Sequence, residues 1–280
     1  MSSLSRGGFD NKYYDRMWAK AASILSPDDK ERIENILRLV PPDCASVLDI
    51  GCGDGRVTNL LTSRCARVVG LDVSTEALRH LTASGVLGTI ERLPFPDKTF
   101  DLVISSEVLE HLPYAVYLQA LEEIARCSKK YILITVPNNE DLRENSIVCP
   151  ACSCRFHPSG HVRSFDSATL EHLFRQFKLC YLMKSSMTRV YPKTMIRAGR
   201  LIGVVPQEPH TPFPPTALCP QCGYAARATD SQNNPQCEGR KGLFHFLLPL
   251  GRVLVPKIGC ATFLIALYER RSDFENGLGG

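Results

Sequence analysis

Two groups of residues in this chain have types and spacings that suit chemistry. The first is VLDIGCGDG, Val47 to Gly55, where an apolar run carrying Asp49 passes straight into Gly51, Gly53 and Gly55. Glycine at a strand end allows a tight turn and lets a ligand touch the backbone, and the opening N–H groups of the next helix add unpaired donors. Asp72 closes the run RVVGLD, 21 positions after Gly51, and its carboxylate can accept both hydroxyl protons of a ribose. A ribose-bearing cofactor follows, and both nicotinamide dinucleotides and S-adenosylmethionine qualify. The dinucleotide loop G-x-G-x-x-G needs a third glycine at position 56, where this chain has Arg56.

The second group is cysteine. Twelve cysteines suit neither disulfides in a reducing compartment nor chance. Cys44, Cys52, Cys65, Cys127, Cys180 and Cys260 stand singly in apolar or strand-like runs and read as small buried hydrophobes. CPAC (Cys149, Cys152) and CPQC (Cys219, Cys222) are C-x-x-C knuckles, which together offer four thiolates to a tetrahedral structural Zn2+. The 66 residues between Cys152 and Cys219 far exceed a compact zinc ribbon, and Cys154, His157, His161 and Cys237 are rival ligands. A C-x-x-C plus two-histidine site within CPACSCRFHPSGH is the main alternative. A catalytic zinc would keep an open position for an activated water, whereas four thiolates close the site, so a structural zinc is the preferred reading.

The elements that must position these groups alternate between two periods. SPDDKERIENILRLV predicts a helix with Ser26 as N-cap, Pro27 in the first turn, Asp29 closing a capping box, and Ile33, Ile36, Leu37 and Val40 on one face. SVLDI (46–50), RVVGLD (67–72), VLGTI (86–90), FDLVISS (100–106) and YILITVP (131–137) read as strands. RVTNLLTSR, TEALRHLTA and the segment from Tyr117 read as helices between them, and KLCYLMKSSMTRV and ATFLIALYERR as two further strands. Short apolar strands separated by helices imply crossover connections and a parallel sheet covered on both faces, with ligands beyond the carboxyl ends of the strands.

Composition narrows the class. The 280 residues are 44% hydrophobic and carry a net charge of +4 without a polybasic tail, which neither demands nor excludes a nucleic-acid partner. MSSLSRGGFD lacks the apolar core of a secretion signal and no apolar run reaches a membrane span, so the expectation is a cytoplasmic protein.

VLDIGCGDG, Asp72 in VVGLDVS, ERLPFPDKTFDLVISSEVLEHLP and ITVPN, in that order, resemble the class I S-adenosylmethionine-dependent methyltransferases, in the branch acting on small molecules. The likeness resumes at HVRSFDSATLEHLFRQF and in the last strand. It implies a Rossmann-like seven-stranded sheet, mostly parallel with its last strand antiparallel, helices on both faces, and here a cysteine-rich insertion. It also implies roles. Asp49, Gly51 and Gly53 border the methionine moiety, Asp72 holds the ribose, and Val73, Thr89 and Ile90 line the adenine. Ser105 and Ser106 end a strand beneath the methyl group, and His111, or Glu107, serves as base at the mouth. Thr89 departs from the Asp usual at its place, although its hydroxyl still accepts a hydrogen bond. Tyr13, Tyr14 and Trp18 resemble an aromatic lid. In such a fold both knuckle insertions leave on the face of the active site, where one metal would join them.

The expected organisation is a helical lid (1–45), the cofactor-binding core (46–145), a first knuckle insertion (146–163), and a core helix and strand (164–190). A second insertion (191–259), the last core strand (260–270) and a tail (271–280) complete it. MIRAGRLIGVV and LFHFLLPLGRVLVP are apolar runs that would pack as helices on the insertion, cover a substrate, or lie on a membrane surface as a peripheral contact. Methylation of a small molecule, on oxygen, is the first functional reading. An RNA methyltransferase with a zinc module is second, weakened by the absence of an N-P-P-Y-type motif and of a concentrated basic patch. A non-catalytic scaffold is third, and the intact glycine loop speaks against it. Oligomeric state is not encoded legibly.

Overall fold

The computed structural model describes residues 11–20, 25–190, 213–214, 217–225 and 258–272. Cys237 and the runs MIRAGRLIGVV and LFHFLLPLGRVLVP lie outside the described residues. After α1 (Asn11–Lys20), helix α2 spans Pro27–Leu39 and opens on the expected capping box. Ser26 Oγ accepts from Asp29 N at 3.1 Å, while Ser26 N donates to Asp29 Oδ2 at 3.3 Å. Ile33 and Ile36 of its apolar face are buried.

Strands β1 (Ser46–Ile50), β2 (Arg67–Asp72), β3 (Ser84–Leu87), β4 (Phe100–Ser106) and β5 (Ser128–Pro137) alternate with α3 (Thr58–Leu61), α4 (Thr75–Leu78) and α5 (Tyr114–Cys127). After α6 (Ser167–Glu171) come two long strands, Phe177–Val190 and Ile258–Arg270. With the small hairpin pair β6 (Ile147–Val148) and β7 (Arg155–Phe156) numbered in chain order, these are β8 and β9. The sheet has seven strands in the order β3-β2-β1-β4-β5-β9-β8. β1, β2, β3, β4 and β5 pair in parallel, and β9 runs antiparallel to β5. This is the Rossmann-like methyltransferase arrangement anticipated.

Successive side chains of a strand face opposite ways, and here both ways are buried. Leu48, Ile50, Val103, Ile132, Ile134 and Leu264 join one core with Ile124 of α5 and Leu170 of α6. Val47, Leu102, Ile104, Leu133 and Ile265 join the other with Ile33 and Ile36 of α2. Tyr268 Oη donates to Leu170 O at 2.7 Å, securing β9 to α6.

Strand β5 begins at Ser128 rather than 131 and α5 at Tyr114 rather than Tyr117, and three further elements are shorter than or shifted from the sequence expectation. The third strand is Ser84–Leu87 rather than 86–90, because the chain turns back at Gly88 and forms a bridge between Thr89 and Arg92. Helix α3 stops at Leu61, where Thr62 Oγ1 and Ser63 Oγ donate back to the carbonyls of Asn59 and Leu60. Helix α4 stops at Leu78 because His80 N and Leu81 N bond three residues back, to Ala77 O and Leu78 O. Among the single cysteines, Cys44, Cys52, Cys65 and Cys127 are buried as expected, but Cys260 is only half-buried and Cys180 is exposed, since β8 is the edge strand.

Contacts divide the chain into two units. One comprises Met1–Leu142, Ser159–Ser186 and Thr262–Gly280; the other comprises Arg143–Pro158 and Met187–Ala261. His161, expected at the end of the first insertion, therefore belongs with the core. No helix among the described residues is long and apolar enough to cross a membrane.

Replacing Ser26 by Ala removes the acceptor for Asp29 N. The expected cost is about 1 kcal/mol, seen as a fall of roughly 2–4 °C in melting temperature by calorimetry, with no change in cofactor titration.

Candidate active site

The parallel register brings the ends of β1, β2 and β4 to one edge. Ile50 pairs with Leu71 and with Ser105, so the glycine loop, Asp72 and the serine pair emerge together. Gly51 and Gly53 take φ of +67° and +53°, in the left-handed region that disfavours side chains. A Cβ on Gly51 would lie 2.4 Å from Val108 Cγ2, and one on Gly53 would lie 2.4 Å from Trp18 Cζ2. Helix α1 thus lies against the loop. Asp15 accepts from Ser74 Oγ at 2.6 Å and from Glu76 N at 3.2 Å at the start of α4.

Asp72 is buried and its two oxygens accept from backbone: Oδ2 from Gly53 N at 2.9 Å and Oδ1 from Ser74 N at 2.9 Å. Burial raises its pKa above the usual carboxylate range. Val73 N also supports the carboxylate, and with about four lone-pair positions it keeps capacity for a hydroxyl donor. Asp49 is also buried; Thr58 Oγ1 donates to it at 2.6 Å, yet burial pushes its pKa up to about 7. Val73 is half-buried, Ile90 is buried in the turn after β3, and Thr89 sits in the bridge with Arg92. Arg56, where a dinucleotide loop needs glycine, donates to Asp54 Oδ2 at 2.7 Å.

Past β4 the chain carries three ionisable groups in five residues, Glu107, Glu110 and His111. Ser105 is buried with a hydroxyl that has no hydrogen-bond partner, and Ser106 Oγ accepts from Arg32 of α2 at 2.6 Å. Ser106 Oγ also lies 2.9 Å from Thr135 Oγ1, which donates to Glu107 Oε1 at 3.1 Å. Glu107 holds φ at +58°, a conformation costly for a non-glycine residue, fixed by its N–H to Thr135 O at 3.0 Å. Desolvation raises its carboxyl pKa, with the Arg32 charge opposing. Glu110 is fully buried, neither carboxylate oxygen has a hydrogen-bond partner, and burial raises its pKa, with Glu107 adding to the effect. His111 Nε2 lies 3.8 Å from Glu110 Oε1, and its ring meets that of His161 edge to face at 4.8 Å. His161 Nδ1 is 2.5 Å from Glu140 Oε2.

Sequence reading missed Glu110, Glu140 and Arg32. Glu110 carries no signal beside His111 in the same motif, and Arg32 reads as one more charge on the polar face of α2.

The four cysteines of the two knuckles do come together. Cys149 Sγ is 3.7 Å from Cys222 Sγ and Cys152 Sγ is 3.6 Å from Cys219 Sγ, and all four sulfurs lie within 4.8 Å of one another. The knuckles repeat one geometry. Cys149 N donates to Cys154 O and Ser153 N to Cys149 O; Cys219 N donates to Tyr224 O and Gly223 N to Cys219 O. Ser153 and Gly223, at equivalent places, both have positive φ. Cys154 lies outside this quartet, with its thiol toward Arg155 O at 3.8 Å.

Residues 48–132 match the family described as "Methyltransferase domain". That segment is a class I methyltransferase domain. Over 105 residues the chain is 38% identical to an uncharacterised protein of Methanocaldococcus jannaschii, covering 36% of this chain and 44% of that protein. Over 142 residues it is 32% identical to a ubiquinone biosynthesis O-methyltransferase of Rhizobium rhizogenes, covering 40% of this chain and 57% of the relative. The chain thus spans about half the length of these relatives. A chain from a Haloferax volcanii complex containing the Trm112 methyltransferase activator superposes with a TM-score of 0.52 at 16% identity, over 92% of this chain and 97% of that one. The methyltransferase fold therefore extends beyond the segment matched by sequence.

Asp49 gives the methyltransferase core a pH signature. Its folded-state pKa lies above its unfolded value, so the folded protein binds the extra proton, and stability is lost as pH rises through the interval up to about 7. The melting temperature is expected to fall between pH 5 and pH 8, and to fall less in Asp49→Asn. Parallel pH profiles for parent and variant would contradict this.

Proposed function

We propose that the chain is an S-adenosylmethionine-dependent methyltransferase that methylates an oxygen of a small molecule, with a structural zinc in the four-cysteine cluster. The observation that carries the cofactor is the pairing of the Gly51–Gly53 turn with buried Asp72, whose carboxylate retains acceptor capacity beside the loop. When bound, S-adenosylmethionine supplies a methyl group on a sulfonium, which is activated for in-line displacement without a metal. Gly51 and Gly53 would admit the methionine moiety, Asp72 would take the ribose hydroxyls, and Val73, Thr89 and Ile90 would border the adenine. Asp49 and Thr58 would stiffen the loop from below, and Ser105 and Ser106 would floor the transfer path.

The chain's own work is to align the acceptor, exclude water and receive a proton. Trp18 on Gly53 suits water exclusion. A hydroxyl acceptor must lose its proton near neutral pH, and of the two candidate bases Glu107 is the stronger. Desolvation raises its proton affinity toward that range, whereas His111 is packed between Glu110 and His161. The O-methyltransferase name of the Rhizobium relative supports oxygen as the methylated atom. A tetrahedral zinc fits four sulfurs this close, on two knuckles of matching backbone.

Titration calorimetry with S-adenosylmethionine tests the cofactor. Asp72→Ala should weaken binding by at least tenfold, the loss of about one hydrogen bond to a charged group, and unchanged affinity would overturn the ribose assignment. For the metal, elemental analysis of the Cys149→Ser, Cys222→Ser double variant should give one zinc per chain fewer than the parent; a metal-free parent, or equal zinc in both, would overturn that part.

A further inference from the structure

The most unusual group in the core is the Glu110 carboxylate. It is fully buried, and neither oxygen has a hydrogen-bond partner. A desolvated, unpaired carboxylate is costly, and natural cores rarely leave one without a counterpart. Its surroundings supply one kind of counterpart. His111 Nε2 stands 3.8 Å from Oε1, and one ligand atom each of Glu110, His111 and His161 lies within 4.8 Å of the others.

Two further contacts hold this arrangement. Val162 N and Arg163 N donate to Glu110 O at 2.8 and 3.2 Å, fastening the loop that bears His161 to the short helix Leu109–His111. Glu140 Oε2 at 2.5 Å engages His161 Nδ1, which leaves Nε2 as the ring's lone-pair atom. A carboxylate on the outer nitrogen is the support that metal-binding histidines characteristically receive.

We propose that Glu110, His111 and His161 bind one divalent transition-metal ion, through ligands distinct from the four cysteines. Two imidazoles and one carboxylate suit Zn2+, Co2+, Mn2+ or Fe2+ rather than Ca2+ or Mg2+. Three protein ligands leave positions open on the ion. A hydroxyl oxygen of the acceptor at such a position would have its pKa lowered, so that Glu107 need only collect the proton. This last step rests on the methyl-transfer reading; the ion site does not, and cofactor titration tests the two apart.

The test uses the full chain, stripped with a chelator and titrated with Co2+ at neutral pH. Cobalt bound to the cysteines produces intense thiolate-to-metal charge-transfer absorption, whereas cobalt on nitrogen and oxygen produces only weak visible bands. The expected result is one bound equivalent that leaves the thiolate absorption unchanged. His161→Ala and His111→Gln should each remove that equivalent, and Glu110→Gln, which keeps shape and loses charge, should weaken it at least tenfold. Bound cobalt that is confined to the thiolate absorption in the parent, or a non-thiolate equivalent that survives both histidine substitutions, would overturn the proposal and leave the cluster as a proton-holding network without metal.

Discussion

The site depends on one buried carboxylate. Asp72 ends β2, yet its hydrogen bonds reach Gly53 in the loop after β1 and Ser74 at the start of α4. Three elements that leave the sheet separately are thereby tied at one point. The parallel register supplies the approach, since Ile50 lies opposite Leu71 in β2 and Ser105 in β4. Without that alignment, the positive-φ glycines would form a turn with nothing beside it.

Around this point the core accepts a concentration of acid that its burial makes expensive. Asp49, Asp72, Glu107 and Glu110 are all raised by desolvation. Compensation is uneven: backbone N–H groups serve Asp72, hydroxyls serve Asp49 and Glu107, and Arg32 contributes charge from α2. Glu110 receives least. Such unevenness is common where a fold gives up stability to keep reactive groups desolvated.

The sequence was most legible where burial is two-sided. β1, β2 and β4 fall on the expected residues because a strand covered on both faces is a continuous apolar run bounded by glycine or charge. The ends of α3 and β3 were misplaced because Ser, Thr and Gly there redirect the backbone locally, and the end of α4 because its last turn tightens to three-residue bonds, choices that hydrophobic period does not encode. In the site, the glycines and Asp72 were legible from spacing, and the cysteine quartet from its paired knuckles. Glu110 and Arg32 were not, since a charged residue's burial and a long-range bond such as Arg32 to Ser106 arise only from tertiary packing. Cys180 erred for the same reason: strand-like context does not reveal which strand is the edge.

The two knuckles form one cluster although a core helix and a core strand are threaded between them in the chain. This ordering has a consequence during synthesis. When Cys149 and Cys152 leave the ribosome they have no partners, and they must wait as free thiols until α6, β8 and CPQC have followed. The central sheet waits as well, because β9 enters between β5 and β8 only after the second knuckle has been made. Neither unit can be completed first and released, so the nascent chain must carry exposed thiols until CPQC has emerged and an unfilled gap in its sheet until β9 has followed.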